Sequence, residues 1–288
     1  MKIHYIIFRI TAIFFTANTV IVAQPSIDEV LAYTPERQFE YLTTNTPEMK
    51  DYINNGSEYS RLLVEIAASD DGATEMAMYL FNNYILLLSS NKYSPAYNEL
   101  IHSNIMEKKL SQIILMPYKD LKVKRGAILA HANLYPPKEE VLQFFKNEIE
   151  GSTPDKRGVI ESILRAFALY QSRQDYQIPE YVYEKLPGLV NHHSDSVQSQ
   201  AIMLLTDKEG LEYLPELFAQ LESNNHGASV SQTIVFNILS LDTSQITIDK
   251  LKLSGEKVNN TWVKELIDNS LRPKNIERLQ KRKSIANK

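Results

Sequence analysis

The sequence predicts an all-α chain, a solenoid of stacked helix pairs, on three observations. First, the stretch 194–221 reads as a two-helix unit. Val197, Ala201, Leu204 and Leu205 fall at i, i+4, i+7 and i+8, and Leu214, Leu217, Phe218 and Leu221 at i, i+3, i+4 and i+7, with a break at 206–210 between them. Each helix has one apolar face that neither buries alone, so the unit needs copies of itself. Second, copies exist: Val123, Ile160, Val197, Val230 and Val263 each open the same short apolar signature, at spacings of 37, 37, 33 and 33 residues. Third, 288 residues with 43% hydrophobic content and only 9 glycines describe a folded protein with room for six or seven such pairs.

Taken in order, residues 1–23 read as a secretory signal: Lys2 and Arg9 precede an apolar run that ends in small residues at Ala23. The alternative is an uncleaved anchor beginning near Ile3, although Asn18 interrupts a run that is short of the roughly 20 apolar residues a spanning helix needs. Either way the folded part is expected to be exported, to a bacterial periplasm or the extracellular space. Residues 24–118 form an N-terminal helical cap and less regular pairs. A helix capped near Ser26 and a second opened by Pro35 precede a third that starts at Pro47 and ends at Asn54-Asn55-Gly56. The pair 57–72 and 73–91 follows, its second helix apolar almost all round and hence expected to be buried. A third pair runs from Ser94 to Pro117.

The regular array spans 119–271. Between the anchors lie partner helices: 136–151, with Pro137 in its first turn and Gly151 after its last; 178–190; and 210–223, with Pro215 near its start. In the fourth interval 243–255 is weaker, a degenerate helix or a partly extended segment. Residues 272–288 are a basic tail carrying seven cations against Glu277, a local charge of +6. The whole chain has a formal charge of −4, which becomes −6 without Lys2 and Arg9, so residues 24–271 hold about −12. An acidic body lacks the continuous basic face that phosphate binding needs, which argues against nucleic acid as a partner.

Asp195-Ser196-Val197 followed by Ala201 and Leu205, with a second helix opened near Pro215, resembles the two-helix unit of HEAT-type and armadillo-like repeats, and Val123-Lys124-Arg125 with Ala127 is similar. The resemblance covers about 119–269, and more loosely 58–116. It implies a right-handed α–α superhelix and an Asp-to-Arg ladder between neighbouring units. From the ladder pattern this chain departs, having Gln198 and Ser231 where the basic residue often stands.

The composition removes several chemistries. With no cysteine there is no disulfide, thiolate metal site, cysteine nucleophile or lipid-anchored cysteine. No GxSxG, P-loop or GxGxxG pattern occurs. His192-His193 with Asp195 is a conceivable metal site, but adjacent residues rarely point the same way and no HExxH-like spacing accompanies them, so a solvated turn is the better reading. His131, on the helix bearing Ala127 and Ala130, is better read as a packing residue than as a catalytic one. Acidic pairs occur at Asp28-Glu29, Asp70-Asp71 and Glu139-Glu140, and the last two have structural explanations: Asp70-Asp71 sits before a glycine turn and Glu139-Glu140 in the first turn of a helix, where the dipole favours negative charge. The chain is therefore expected to use no cofactor and no metal and to be no enzyme.

What remains is binding. Tyr170, Tyr176, Tyr181, Tyr183 and Tyr213, five of 16 tyrosines, cluster in the best-formed part of the array. Tyrosine gives a large contact area at low entropic cost, so these five are the candidate partner-binding residues, with packing between repeats as the alternative. The tail can contact an anionic partner or lipid headgroups, or serve as a solvated capping helix. The expected function is an exported, non-enzymatic scaffold for a protein or peptide. Membrane contact is expected only through the N-terminal segment or the tail. Two other classes stay open: an enzyme with a groove site on an armadillo-like fold, as the resemblance allows, and a membrane-tethered structural protein if residues 1–23 are retained. Asn55-Gly56-Ser57 and Asn259-Asn260-Thr261 match the glycosylation acceptor pattern.

Overall fold

The computed structural model describes residues 25–47, 49–70, 72–89, 94–151 and 157–286; the segment read as a signal lies outside them, as does Asp71. The described residues are all-helical, with no strand. The N-terminal helices are α1 (Ile27–Leu31), α2 (Pro35–Thr44), α3 (Met49–Ala68), α4 (Thr74–Ser89), α5 (Pro95–Ile101) and α6 (Asn104–Leu115). Then come α7 (Leu121–Leu134), α8 (Glu139–Glu150), α9 (Arg157–Gln174), α10 (Glu180–Leu189), α11 (Asp195–Glu209) and α12 (Leu214–Ser223), the last two joined by a 3-10 turn at Gly210–Tyr213. The chain closes with α13 (Ala228–Leu241), α14 (Gln245–Lys257), α15 (Thr261–Ser270) and α16 (Pro273–Ala286).

Local chemistry starts these helices where their caps stand. Ser26 and Glu29 form a reciprocal capping box on α1, and Thr34, Ser94, Ser103, Asp120, Ser244 and Asn260 each accept a backbone N–H of the first turn that follows. One expectation fails, and one open choice is decided. The break at Asn54-Asn55-Gly56 is absent, because α3 runs through it. Gly56 is buried there, and the apolar series Leu62, Leu63 and Ile66 holds α3 against α4, α5 and α6, which outweighs the weak local preference of Asn and Gly. The fourth interval is a full helix, α14, capped by Ser244 and burying Leu251 and Ser254.

The packing follows the repeat. Helices α4, α7, α9, α11, α13 and α15 each pack on the next, forming an inner row, and α2 packs on α4 at its start. On one flank lie the outer helices: α6 packs on α7, α8 on α9, α10 on α11, α12 on α13 and α14 on α15. All five signature anchors, Val123, Ile160, Val197, Val230 and Val263, fall on inner-row helices and are at most 1% exposed. The 33–37-residue period is thus the return of the chain to the inner row.

Neighbouring units are tied at their edges by polar groups. Ion pairs link Lys109 to Glu65 (2.8 Å), Lys138 to Glu107 (3.0 Å) and Lys257 to Glu222 (2.8 Å). Gln198, standing where the family pattern has a basic residue, donates its amide to the His192 carbonyl and accepts from His226 Nδ1 at 3.0 Å. One unit further on, Asn224 donates to the Lys257 carbonyl (3.2 Å) and accepts from the Asn259 N–H (2.7 Å).

Candidate functional site

An inner-row helix is covered on two sides by its row neighbours and on a third by an outer helix. Only the fourth side is open, so whatever an inner-row helix exposes in its middle lies on one continuous face. The repeat register makes this concrete. Six residues after the anchors stand Leu129 (half-buried), Met203 (40% exposed), Phe236 (50% exposed) and Asn269, while on α9 Ala166 is buried and Arg165 is exposed beside it. At the start of the row α4 contributes Tyr79, 63% exposed. That exposure corrects the expectation of a helix buried all round: α4 buries Ala77, Met78, Phe81, Tyr84, Ile85 and Leu88 but leaves Tyr79, Leu86 and Leu87 open, because the row covers only part of its circumference.

The open face deepens into a cleft of about 750 Å³ between α2, α4 and α7. Its walls are Phe39 from α2, Met76 and Tyr79 from α4 and Leu129 from α7, with Lys122 and Arg125 along one rim. Lys122 is paired with Glu75 (2.8 Å), and Arg125 reaches Glu161 on α9 (3.6 Å). The cleft owes its shape to a close helix approach. Asn82 donates its side-chain amide to the Met78 and Gly126 carbonyls at 3.0 and 3.1 Å, tying α4 to α7, and a Cβ on Gly126 would lie 2.3 Å from Met78 Cγ. The α2 wall is fixed by buried Gln38, which donates to the Val30 and Leu31 carbonyls and accepts from the Ala73 N–H at the foot of α4. Gly72 makes room for it with φ +118, a Cβ there meeting Gln38 Oε1 at 2.3 Å. Gly126→Ala is accordingly expected to destabilise the protein by about 1 kcal/mol, since an overpacking cost of about 2 kcal/mol, the middle of the usual range, exceeds the helix-propensity gain of about 1. Urea denaturation measures it, and an unchanged or raised midpoint contradicts the close approach.

The five tyrosines do not form one surface. Tyr170 is fully buried, between Phe145 (6.5 Å, stacked) and Tyr176 (6.0 Å, edge-on), and Tyr213 is 6% exposed with its hydroxyl accepting from Gln220. These two are core residues, which removes them from a binding surface. Tyr176, Tyr181 and Tyr183 are half-buried at the outer flank, where Lys146 lies over the Tyr181 ring and Lys208 over that of Tyr183, at 5.6 and 4.1 Å to the centroids. The open-face residues Tyr79, Leu129, Met203 and Phe236 went unremarked in the sequence, although three of them share one register relative to the anchors.

The titratable candidates fall apart in space. His131 is buried against Tyr170, its Nδ1 3.0 Å from the hydroxyl, and away from the cleft. His192 and His193 stack at 4.0 Å, and His192 Nδ1 accepts from the Ser194 N–H. Among the described residues no three His, Asp or Glu side chains are grouped to hold a metal ion. Asp28 and Glu29, like Glu139 and Glu140, lie in first turns of helices. No described helix is long and apolar enough to cross a membrane. No family model, curated protein or solved structure matches the chain.

Proposed function

We propose that the chain is an exported, non-enzymatic scaffold, a HEAT-like solenoid that binds an extended segment of a protein partner along the open face of its inner row. The observation that carries this reading is the set of large exposed apolar side chains on inner-row helices, Tyr79 on α4, Met203 on α11 and Phe236 on α13, with Tyr79 lining the α2–α4–α7 cleft. Stacked pairs leave long surfaces of this kind, and buried aromatic anchors supply most of the affinity on them. Binding is favoured over catalysis because Glu75, the one carboxylate lining the cleft among the described residues, is held in an ion pair by Lys122.

The test places a photo-crosslinking residue at Tyr79 or Phe236 on the open face and, for comparison, at Glu184 or Lys252 on outer helices. A partner captured at the first two positions and missed at the others supports the reading. Tyr79→Ala is then expected to weaken that partner by about 30-fold, the effect of losing a hot spot of roughly 2 kcal/mol. Capture at the outer positions alone would sink it.

A further inference from the structure

The two ends of the helix row carry opposite, unsatisfied charge in matching geometry. At the start, α2 presents Glu36, Phe39, Glu40 and Thr43, which fall at i, i+3, i+4 and i+7 and share one face, all of it exposed. Glu36 and Glu40 make no ion pair among the described residues, and Phe39 between them is 47% exposed. At the other end, α16 packs on α15 and presents Lys274 and Arg278 at i and i+4, both exposed and neither ion-paired among the described residues. Beside Arg278 lies an open cleft of about 580 Å³ between α13, α15 and α16, with Phe236, Leu266 and Leu279 in its walls.

We infer that the protein associates head to tail with a second copy of itself, the Glu36–Phe39–Glu40 face of α2 docking on the Lys274–Arg278 face of α16, with the Phe39 ring in the α13–α15–α16 cleft. Two carboxylates one helical turn apart meet two cations with the same spacing, and the ring between the carboxylates is matched by an apolar cleft beside the cations. The Glu36–Glu40 pair at one end outweighs Arg37 beside it, and Lys274 with Arg278 outweighs Glu277 at the other, so the two faces differ in sign, which sets the direction and disfavours head-to-head and tail-to-tail pairs. Because donor and acceptor surfaces are different and lie at opposite ends of the row, the contact is heterologous, so copies add head to tail into rings or open chains and the assembly grows with concentration. Phe39 also walls the α2–α4–α7 cleft and Phe236 the α13–α15–α16 cleft, so this contact shares residues with the open face; the charge reversals, which leave Tyr79 and Phe236 intact, are what separate self-association from binding of another protein.

Sedimentation velocity of the purified protein tests it. Going from about 0.01 M to about 1 M salt shortens the screening length from roughly 30 to 3 Å. At low salt the sedimentation coefficient is expected to rise with protein concentration, and at high salt to fall back to that of one chain. The double variant Glu36→Lys with Glu40→Lys is expected to stay monomeric, as is Lys274→Glu with Arg278→Glu. An equimolar mixture of the two is expected to associate again, since each restores opposite charge to the other. Circular dichroism of each variant shows that it is folded, and the mixture excludes loss of folding as the cause of the monomeric state. Monomers at every concentration in low salt would overturn the inference. So would association that both reversals leave unchanged, or a mixture that fails to reassociate. A protein that stays monomeric while the Lys274–Arg278 face brings it onto phosphatidylglycerol vesicles would assign that face to a membrane and equally refute self-association.

Discussion

Phe145→Ala is expected to cost about 3–5 kcal/mol of folding free energy, the range for emptying the site of a fully buried phenylalanine. Phe145 is the outer row's deepest contribution to the core. It stands on α8, is 0% exposed, and meets two rings of α9 at once: Phe167 edge-on at 5.6 Å and Tyr170 stacked at 6.5 Å. Neighbouring side chains are poorly placed to collapse into the space, since Tyr170 is itself fixed by His131 and Tyr176. Urea denaturation followed by circular dichroism is the measurement, with Phe39→Ala, an exposed position, expected within about 0.5 kcal/mol of the parent as the control. A Phe145→Ala loss below about 1 kcal/mol would mean that α8 is not anchored through this ring.

How much of this was readable in the residues depends on which helix one asks about. The inner row announces itself, because Val123, Ile160, Val197, Val230 and Val263 are buried on the same side of equivalent helices and burial of that kind restricts the residue type at every copy. The same periodic constraint exposes Met203 and Phe236, which could have been found by asking what stands at a fixed offset from each anchor. The α2–α4–α7 cleft could not. Helix α4 carries no anchor signature, and the contact that shapes the cleft joins Asn82 to Gly126, 44 residues apart, through a glycine that reads locally as a poor helix residue. Tyrosine clustering misled for a related reason. Sequence proximity shows that Tyr170 and Tyr176 are near each other, but whether a ring faces the core depends on which side of α9 the row covers. At Asn54-Asn55-Gly56 the local signal was a stop, and the packing of α3 on three neighbours overrode it.

Acid is expected to destabilise the protein through His131, by about 3 kcal/mol between pH 6.5 and 4. The imidazole is fully buried on α7, edge-on to Tyr135 (5.6 Å) and Tyr170 (6.2 Å), with Nδ1 3.0 Å from the Tyr170 hydroxyl and Nε2 without a hydrogen-bond partner. Burial, aided by the Lys138 ammonium, pushes its pKa down from 6.5 to about 4, while burial pushes the Tyr170 hydroxyl up, so the pair is neutral in the fold. The folded pKa lies below the unfolded one, so between the two the unfolded chain binds the extra proton. Stability is therefore full above pH 6.5, falls as pH drops towards 4 at about 1.4 kcal/mol per unit, and is flat for this group below that. Other groups titrate in the same interval; burial lowers His192 and His226 too. The measurement is accordingly a difference. Unfolding free energies of the parent and of His131→Gln, which keeps a polar partner for Tyr170 but cannot titrate, are compared from pH 7.5 to 4. The parent is expected to lose about 3 kcal/mol more than the variant over that interval, and parallel curves would show that the fold admits a charged imidazole at this site. Because Tyr170 belongs to α9 and His131 to α7, the proton would enter at a contact between two inner-row helices. Its cost is then felt along the row that forms the open face.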